Sequence, residues 1–233
     1  FLIDTLLSRN ETAGDLFEGA IDPQRIAAVG MSLGGMTTAL VSYHPAYFDP
    51  RIKLAISVAG PSDMFTKEFF ATRDIPFLMI ASKIDAMVPY ATNAADILER
   101  VNNATLLTFA DGSHAGFSYQ ARSLRFFSNA DQIGCWAIAG NIDDTSAEED
   151  NWLTLIGSAE QGIVMPPTGQ LCAAETLPPA MNPVRQQELE KLAVTSFLQW
   201  HFADSSTESE RYKQFLFEQL THENNRLSIK SSH

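Results

Sequence analysis

Arg25-Ile26-Ala27-Ala28-Val29-Gly30-Met31-Ser32-Leu33-Gly34-Gly35-Met36 is the stretch on which the fold turns. A short apolar run gives way at Gly30 to a G-x-S-x-G string, and a helical pattern follows, with Met36, Ala39, Leu40 and Tyr43 at i, i+3, i+4 and i+7. The reading is strand, sharp turn, helix. A serine on such a turn has a strained backbone that crowds the positions two before and two after it, which accounts for glycine at Gly30 and Gly34. The turn lifts Ser32 Oγ clear of the sheet and leaves the Leu33 backbone N–H at a helix N-terminus, where an oxyanion would form. Ser32 is therefore the candidate nucleophile and Leu33 a candidate oxyanion donor. A phosphate-binding loop would need G-x-x-x-x-G-K-[ST], and no lysine follows Gly34 or Gly35.

Working outward, Arg25 to Gly30, Lys53 to Ala59, Pro76 to Ala81 and Ala104 to Phe109 read as four strands, each apolar enough to be covered on both faces. Between them lie helical patterns, including Ala91 to Val101 with Ala95, Ile97 and Leu98 inward. This alternation predicts an α/β fold built on a mostly parallel sheet flanked by helices. Residues 118–183 show no sustained period and are expected to form an irregular insertion or cap-like region. Regularity returns at Pro183 to Phe202 and at Glu208 to Glu223. The expected organisation is a catalytic core over 1–117, the insertion over 118–183, closing helices of the same domain over 184–223, and a frayed tail over 224–233.

A serine nucleophile needs a neutral imidazole in hydrogen-bond reach and a carboxylate to hold its tautomer. His114 follows the Ala104 to Phe109 strand directly, in a loop of small residues, and is the natural base. His44 ends the helix after the turn, where a histidine serves as a cap against the dipole. His201, His222 and His233 fall in the C-terminal helices or the tail, with packing or surface roles. Asp85, in Ser82-Lys83-Ile84-Asp85-Ala86-Met87-Val88-Pro89, is the first candidate acid; Asp63, after the second strand, is its competitor. Asp111 lies too close to His114 along the chain to face it and reads as a turn residue beside Gly112.

The formal net charge of -12 over 233 residues, from 28 acidic against 16 basic, excludes a nucleic-acid phosphate backbone as partner. No apolar run approaches the ~18 residues of a membrane span. The two cysteines, Cys135 and Cys172, lack metal-ligand spacing; they form either one bridge, which would imply an oxidising compartment, or two buried thiols. A bridge is the expectation carried forward, because both lie in the irregular region that most needs a staple, and it would make the enzyme secreted or periplasmic.

Ile21-Asp22-Pro23-Gln24-Arg25-Ile26 leading into Gly30-Met31-Ser32-Leu33-Gly34-Gly35, together with Ser82 to Pro89 and Gly112-Ser113-His114, resembles the α/β-hydrolase superfamily. More narrowly, it is similar to the bacterial branch near platelet-activating-factor acetylhydrolases, dienelactone hydrolases and cutinase-like polyester hydrolases, over about residues 1–117 and 184–202. The resemblance implies a Ser32, His114, Asp85 triad without metal or cofactor, hydrolysing a small-molecule ester of lipid-acetyl, small-acyl or polyester type. In that superfamily, strands and the loop with the second oxyanion donor precede the turn. The first strand here is therefore expected to leave an unpaired apolar edge, with the second donor and a partner segment or chain upstream of residue 1. A peptidase of the same fold and a catalytically silent binding or assembly module are the alternatives.

Overall fold

Four parallel strands, β1 (Ile26–Met31), β2 (Ile52–Val58), β3 (Phe77–Ser82) and β4 (Ala104–Phe109), lie side by side in chain order. They come from a computed structural model that describes residues 1–139, 155–166, 171–173 and 176–232. Parallel neighbours require a crossover between them. The first is α2 (Leu33–Tyr43), preceded in the chain by α1 (Leu2–Glu11); the others carry the short helices α3 (Lys67–Phe70), α4 (Tyr90–Asn93) and α5 (Ile97–Arg100). The α/β class and the four strand positions agree with the sequence to within a residue or two.

Successive strand side chains point to opposite faces, so an apolar strand feeds two cores at once. From β2, Ile52 and Ala55 join α2, α3 and α5 on one face, where Tyr43 meets Phe70 and Phe77 edge-on and donates its hydroxyl to the Ile75 carbonyl at 3.0 Å. Leu54, Ile56 and Val58 point the other way, into a core closed by Leu189, Ala193 and Phe197 of the long C-terminal helix. That helix is α8 (Pro183–Phe202), after α6 (Ala121–Leu124) and α7 (Asp131–Ala139). Asn182 caps it by accepting from Val184 N at 3.0 Å, and Pro183 opens it where its missing N–H costs nothing. A second helix, α9 (Ser206–Gln214), runs on through a π turn at Phe215–Gln219.

Three expectations need correction. The segment 91–101 is not one helix but α4 and α5, because the Asn93 carbonyl that would accept from Ile97 accepts instead from Ser62 Oγ and from Arg100 Nη2 at 2.9 Å. The tail is not frayed: β5 (Leu227–Ser231) pairs antiparallel with β4 and buries Leu227. The insertion has order over its described part, including α6 and α7; the acidic runs at Asp143-Asp144 and Glu148 to Asp150, like His233, lie outside the described residues.

Cys135 and Cys172 are joined by a disulfide. β1 is an edge of the sheet, and Val29 on it is 50% exposed, as the sequence leads one to expect. Among the described residues no helix is long and apolar enough to cross a membrane.

Candidate active site

Ser32 is the single residue between β1 and α2, at φ 54° and ψ -125°, a backbone region that a side chain adopts only under strain. Neighbouring bonds hold it there. Its N–H donates to the Val58 carbonyl at 2.8 Å, and its carbonyl accepts from Gly35 N at 2.8 Å and Met36 N at 3.1 Å. Of the two glycines expected to relieve the turn, only Gly30 does so. A Cβ on Gly30 would press on the Gly34 carbonyl and stand 2.9 Å from Gly35 N, whereas a Cβ on Gly34 would meet nothing within 4 Å. Gly35 has a separate task, since a Cβ there would lie 2.6 Å from Ser57 Oγ and 2.8 Å from Gly60 Cα, where α2 crosses the end of β2.

β4 ends at Phe109, and the loop after it brings His114 Nε2 to 2.9 Å from Ser32 Oγ. The loop after β3 brings Asp85 Oδ2 to 2.9 Å from His114 Nδ1. A carboxylate can only accept, so Nδ1 carries the proton and Nε2 is left to accept from the Ser32 hydroxyl. Asp85 Oδ1 accepts in turn from Met87 N at 2.9 Å and Val88 N at 2.7 Å, which fixes the carboxylate plane. Both partners are out of water: His114 is 3% exposed and Asp85 7%. Burial alone pushes the His114 pKa down, but the Asp85 hydrogen bond, the Asp85 charge and the Asp131 charge outweigh it, and the net shift is upward from 6.5.

The three candidates from the sequence thus meet in one hydrogen-bonded chain. Leu33 opens α2 beside them, 65% exposed, with its N–H at the helix N-terminus. The second oxyanion donor expected upstream of residue 1 lies outside the described residues. Asp63 stands off the chain, half-buried beside Asn93, its pKa raised by burial. Asp111 pairs with Arg226 at 2.6 Å across the β5 turn. His44 is the C-cap residue of α2, but its buried ring bonds to other groups than the helix carbonyls, contacting the Ile156 carbonyl through Nε2 at 2.9 Å and accepting from Ala46 N. His201 stacks on Trp200, and His222 is exposed.

Two residues of this neighbourhood carry no mark in the sequence. Gln186 of α8 grips the His114 loop from behind, accepting from Ser113 N at 3.0 Å and donating to the Ser113 carbonyl at 2.7 Å. Asp131, the first residue of α7, accepts from the backbone of His114, Ala115 and Ala86. Beside Leu33 lies a cavity of about 220 Å³ whose lining includes Met36, Met64 and Met87 together with the polar Asp63 and Asn93. No protein-family model matches the chain, and no curated protein matches it.

Proposed function

We propose that this chain is a serine hydrolase of α/β-hydrolase type that cleaves carboxylic esters through an acyl-enzyme. The observation that carries the reading is the bridge His114 makes, 2.9 Å to Ser32 Oγ on one side and 2.9 Å to Asp85 on the other, with Ser32 on a strained strand-to-helix turn. Three residues 29 to 82 positions apart are aligned as the chemistry needs. In this mechanism Ser32 Oγ attacks the ester carbonyl while His114 Nε2 takes its proton. The oxyanion forms toward the Leu33 N–H at the start of α2. His114, now charged and held by Asp85, returns the proton to the leaving alkoxide, and water then repeats the sequence on the acyl-serine.

The Met-lined cavity beside Leu33 supports a small substrate group. At about 220 Å³ it falls below the ~300 Å³ of an ordinary ligand pocket, so it suits a short acyl or alcohol portion rather than a long lipid chain. Methionine walls adapt to apolar groups of varied shape. The Cys135–Cys172 disulfide supports an oxidising, exported setting. The test is covalent. A fluorophosphonate probe should label wild type at Ser32 and leave Ser32→Ala unlabelled; labelling that persists in Ser32→Ala, or is absent from wild type, refutes the assignment.

A further inference from the structure

Asp131 is 0% exposed and accepts three backbone N–H bonds, Oδ1 from Ala115 at 2.7 Å and Oδ2 from His114 at 3.0 Å and Ala86 at 3.2 Å. Those amides belong to two different loops. One is the loop of the base, at His114 itself; the other is the loop of the acid, at the residue after Asp85. A buried carboxylate is costly unless its surroundings supply fixed donors, and here the donors are the two loops: burial, the largest effect, and the Asp85 charge leave the Asp131 pKa raised from 3.8, while the three N–H groups pull against that rise. Asp131 is itself anchored, its N–H donating to Asn129 Oδ1 at 2.9 Å while Asn129 Nδ2 donates to the Pro178 carbonyl at 2.9 Å.

One helical turn along α7 stands Cys135, bonded to Cys172, and the Cys172 N–H donates to the Ala86 carbonyl at 2.8 Å. Ala86 is therefore gripped at both ends of its backbone, by Asp131 through its N–H and by Cys172 through its carbonyl. The disulfide ties the two grips together.

Resting on the hydrolase reading, we propose that Asp131 is a positioning residue that sets the base loop against the acid loop, and that the Cys135–Cys172 bond holds it in place. Asp131 acts through the loop backbones. Its charge also reaches His114: the imidazole faces the Asp85 carboxylate and the Ser32 hydroxyl directly, and the Asp131 charge is the further contribution that raises its pKa. Loss of that charge lowers the His114 pKa, so the acidic limb of any activity that needs a neutral base moves to lower pH.

The experiment is the rate of fluorophosphonate labelling of Ser32 across pH in wild type and Asp131→Asn. The variant keeps the shape but turns an N–H toward at least one N–H donor. The expected result is labelling ~10 to 100-fold slower with its acidic limb at lower pH, since an ångström of misplacement costs about that much. Slower labelling with an unmoved limb marks Asp131 as merely structural and overturns the inference, as does an unchanged rate. A wild type that takes no probe overturns the hydrolase reading first, before any variant is compared.

Where Asp131→Asn does not fold, amide exchange in the wild type decides the matter. The Ala86, His114 and Ala115 amides should be protected. They should exchange faster once dithiothreitol supplies the two electrons and two protons that turn the disulfide into two thiols, closing to a cyclic disulfide itself. Amides already unprotected, or indifferent to reduction, overturn the inference.

Discussion

Replacing Gly30 and Gly34 by alanine, one at a time, separates steric demand from mere sequence pattern in the turn that holds Ser32. Neither glycine has a positive φ, so the two substitutions differ only in the space the new methyl finds. On Gly30 the methyl would press on the Gly34 carbonyl and stand 2.9 Å from Gly35 N, where ordinary contact begins at 3.4 Å. The nearer contact, with the Gly34 carbonyl, sets the demand, and the first turn of α2 must retreat by about an ångström to admit the methyl. Overpacking of this kind costs ~1 to 3 kcal/mol, which for a chain of this length lowers the melting temperature by about 2 to 12 °C. The same retreat displaces Ser32 and the Leu33 N–H, so fluorophosphonate labelling should slow by roughly 10 to 100-fold. On Gly34 the methyl meets nothing within 4 Å. Gly34→Ala should therefore stabilise by ~0.4 to 1 kcal/mol through the unfolded chain, raise melting by about 1 to 4 °C, and label at near the wild-type rate. Calorimetry and the labelling rate give both readings on the same samples. Equal damage from the two variants, or greater damage from Gly34→Ala, would refute the steric account of the turn.

The choice of acid has a direct check, because Asp85→Asn destroys the acceptor that fixes the His114 tautomer and should slow Ser32 labelling by ~1,000 to 10,000-fold, while Asp63→Asn stays within about threefold of wild type. Comparable losses in both variants, or a larger one in Asp63→Asn, would reverse the assignment. On α8, burial raises the Glu190 pKa from 4.5 to about 7 and lowers the His201 pKa from 6.5 to about 4, and neither Glu190 Oε2 nor His201 Nε2 has a hydrogen-bond partner among the described residues. Glu190, with a raised folded pKa, contributes stability that is present in acid and lost as pH rises toward 7; His201, with a lowered one, contributes stability that is lost as pH falls from 6.5 toward 4. Between pH 4.5 and 6.5 the two slopes oppose each other. Urea midpoints should then show Glu190→Gln losing stability as pH falls across that window and His201→Gln gaining it, each by at most about 1.4 kcal/mol per pH unit. Variants with the same pH dependence as wild type would refute this balance.

What is legible in the sequence is what neighbours along the chain decide. β1, the turn at Ser32 and α2 are one continuous stretch whose apolar run, glycines and helical spacing each have a local cause, and α8 carries its own Asn182 cap and Pro183 start. β5 is legible too, since Leu-Ser-Ile-Lys-Ser alternates apolar and polar residues as a half-covered strand does, and only its place at the chain end suggests fraying. The break between α4 and α5 is not legible, because it depends on Ser62 and Arg100 drawing off one carbonyl that a propensity reading assigns to the helix. The same limit explains Asp131 and Gln186, whose partners lie 45 positions away at Ala86 and 73 positions away at Ser113.

Ser32 lies 82 positions from His114 and Asp85 lies 29 from it, yet the sequence brings them together, and the reason is topological. Strands β1, β3 and β4 all run the same way, so the loops that follow them emerge at one end of the sheet, and a reader who has located the strands has already gathered the three loops. Asp131 and Gln186 come from helices that return to that end after the four parallel strands are laid down. Nothing in strand order announces such a return. A parallel sheet therefore makes the residues that follow its strands readable in a single sequence, while the side chains that brace them from behind become visible only when the chain has folded.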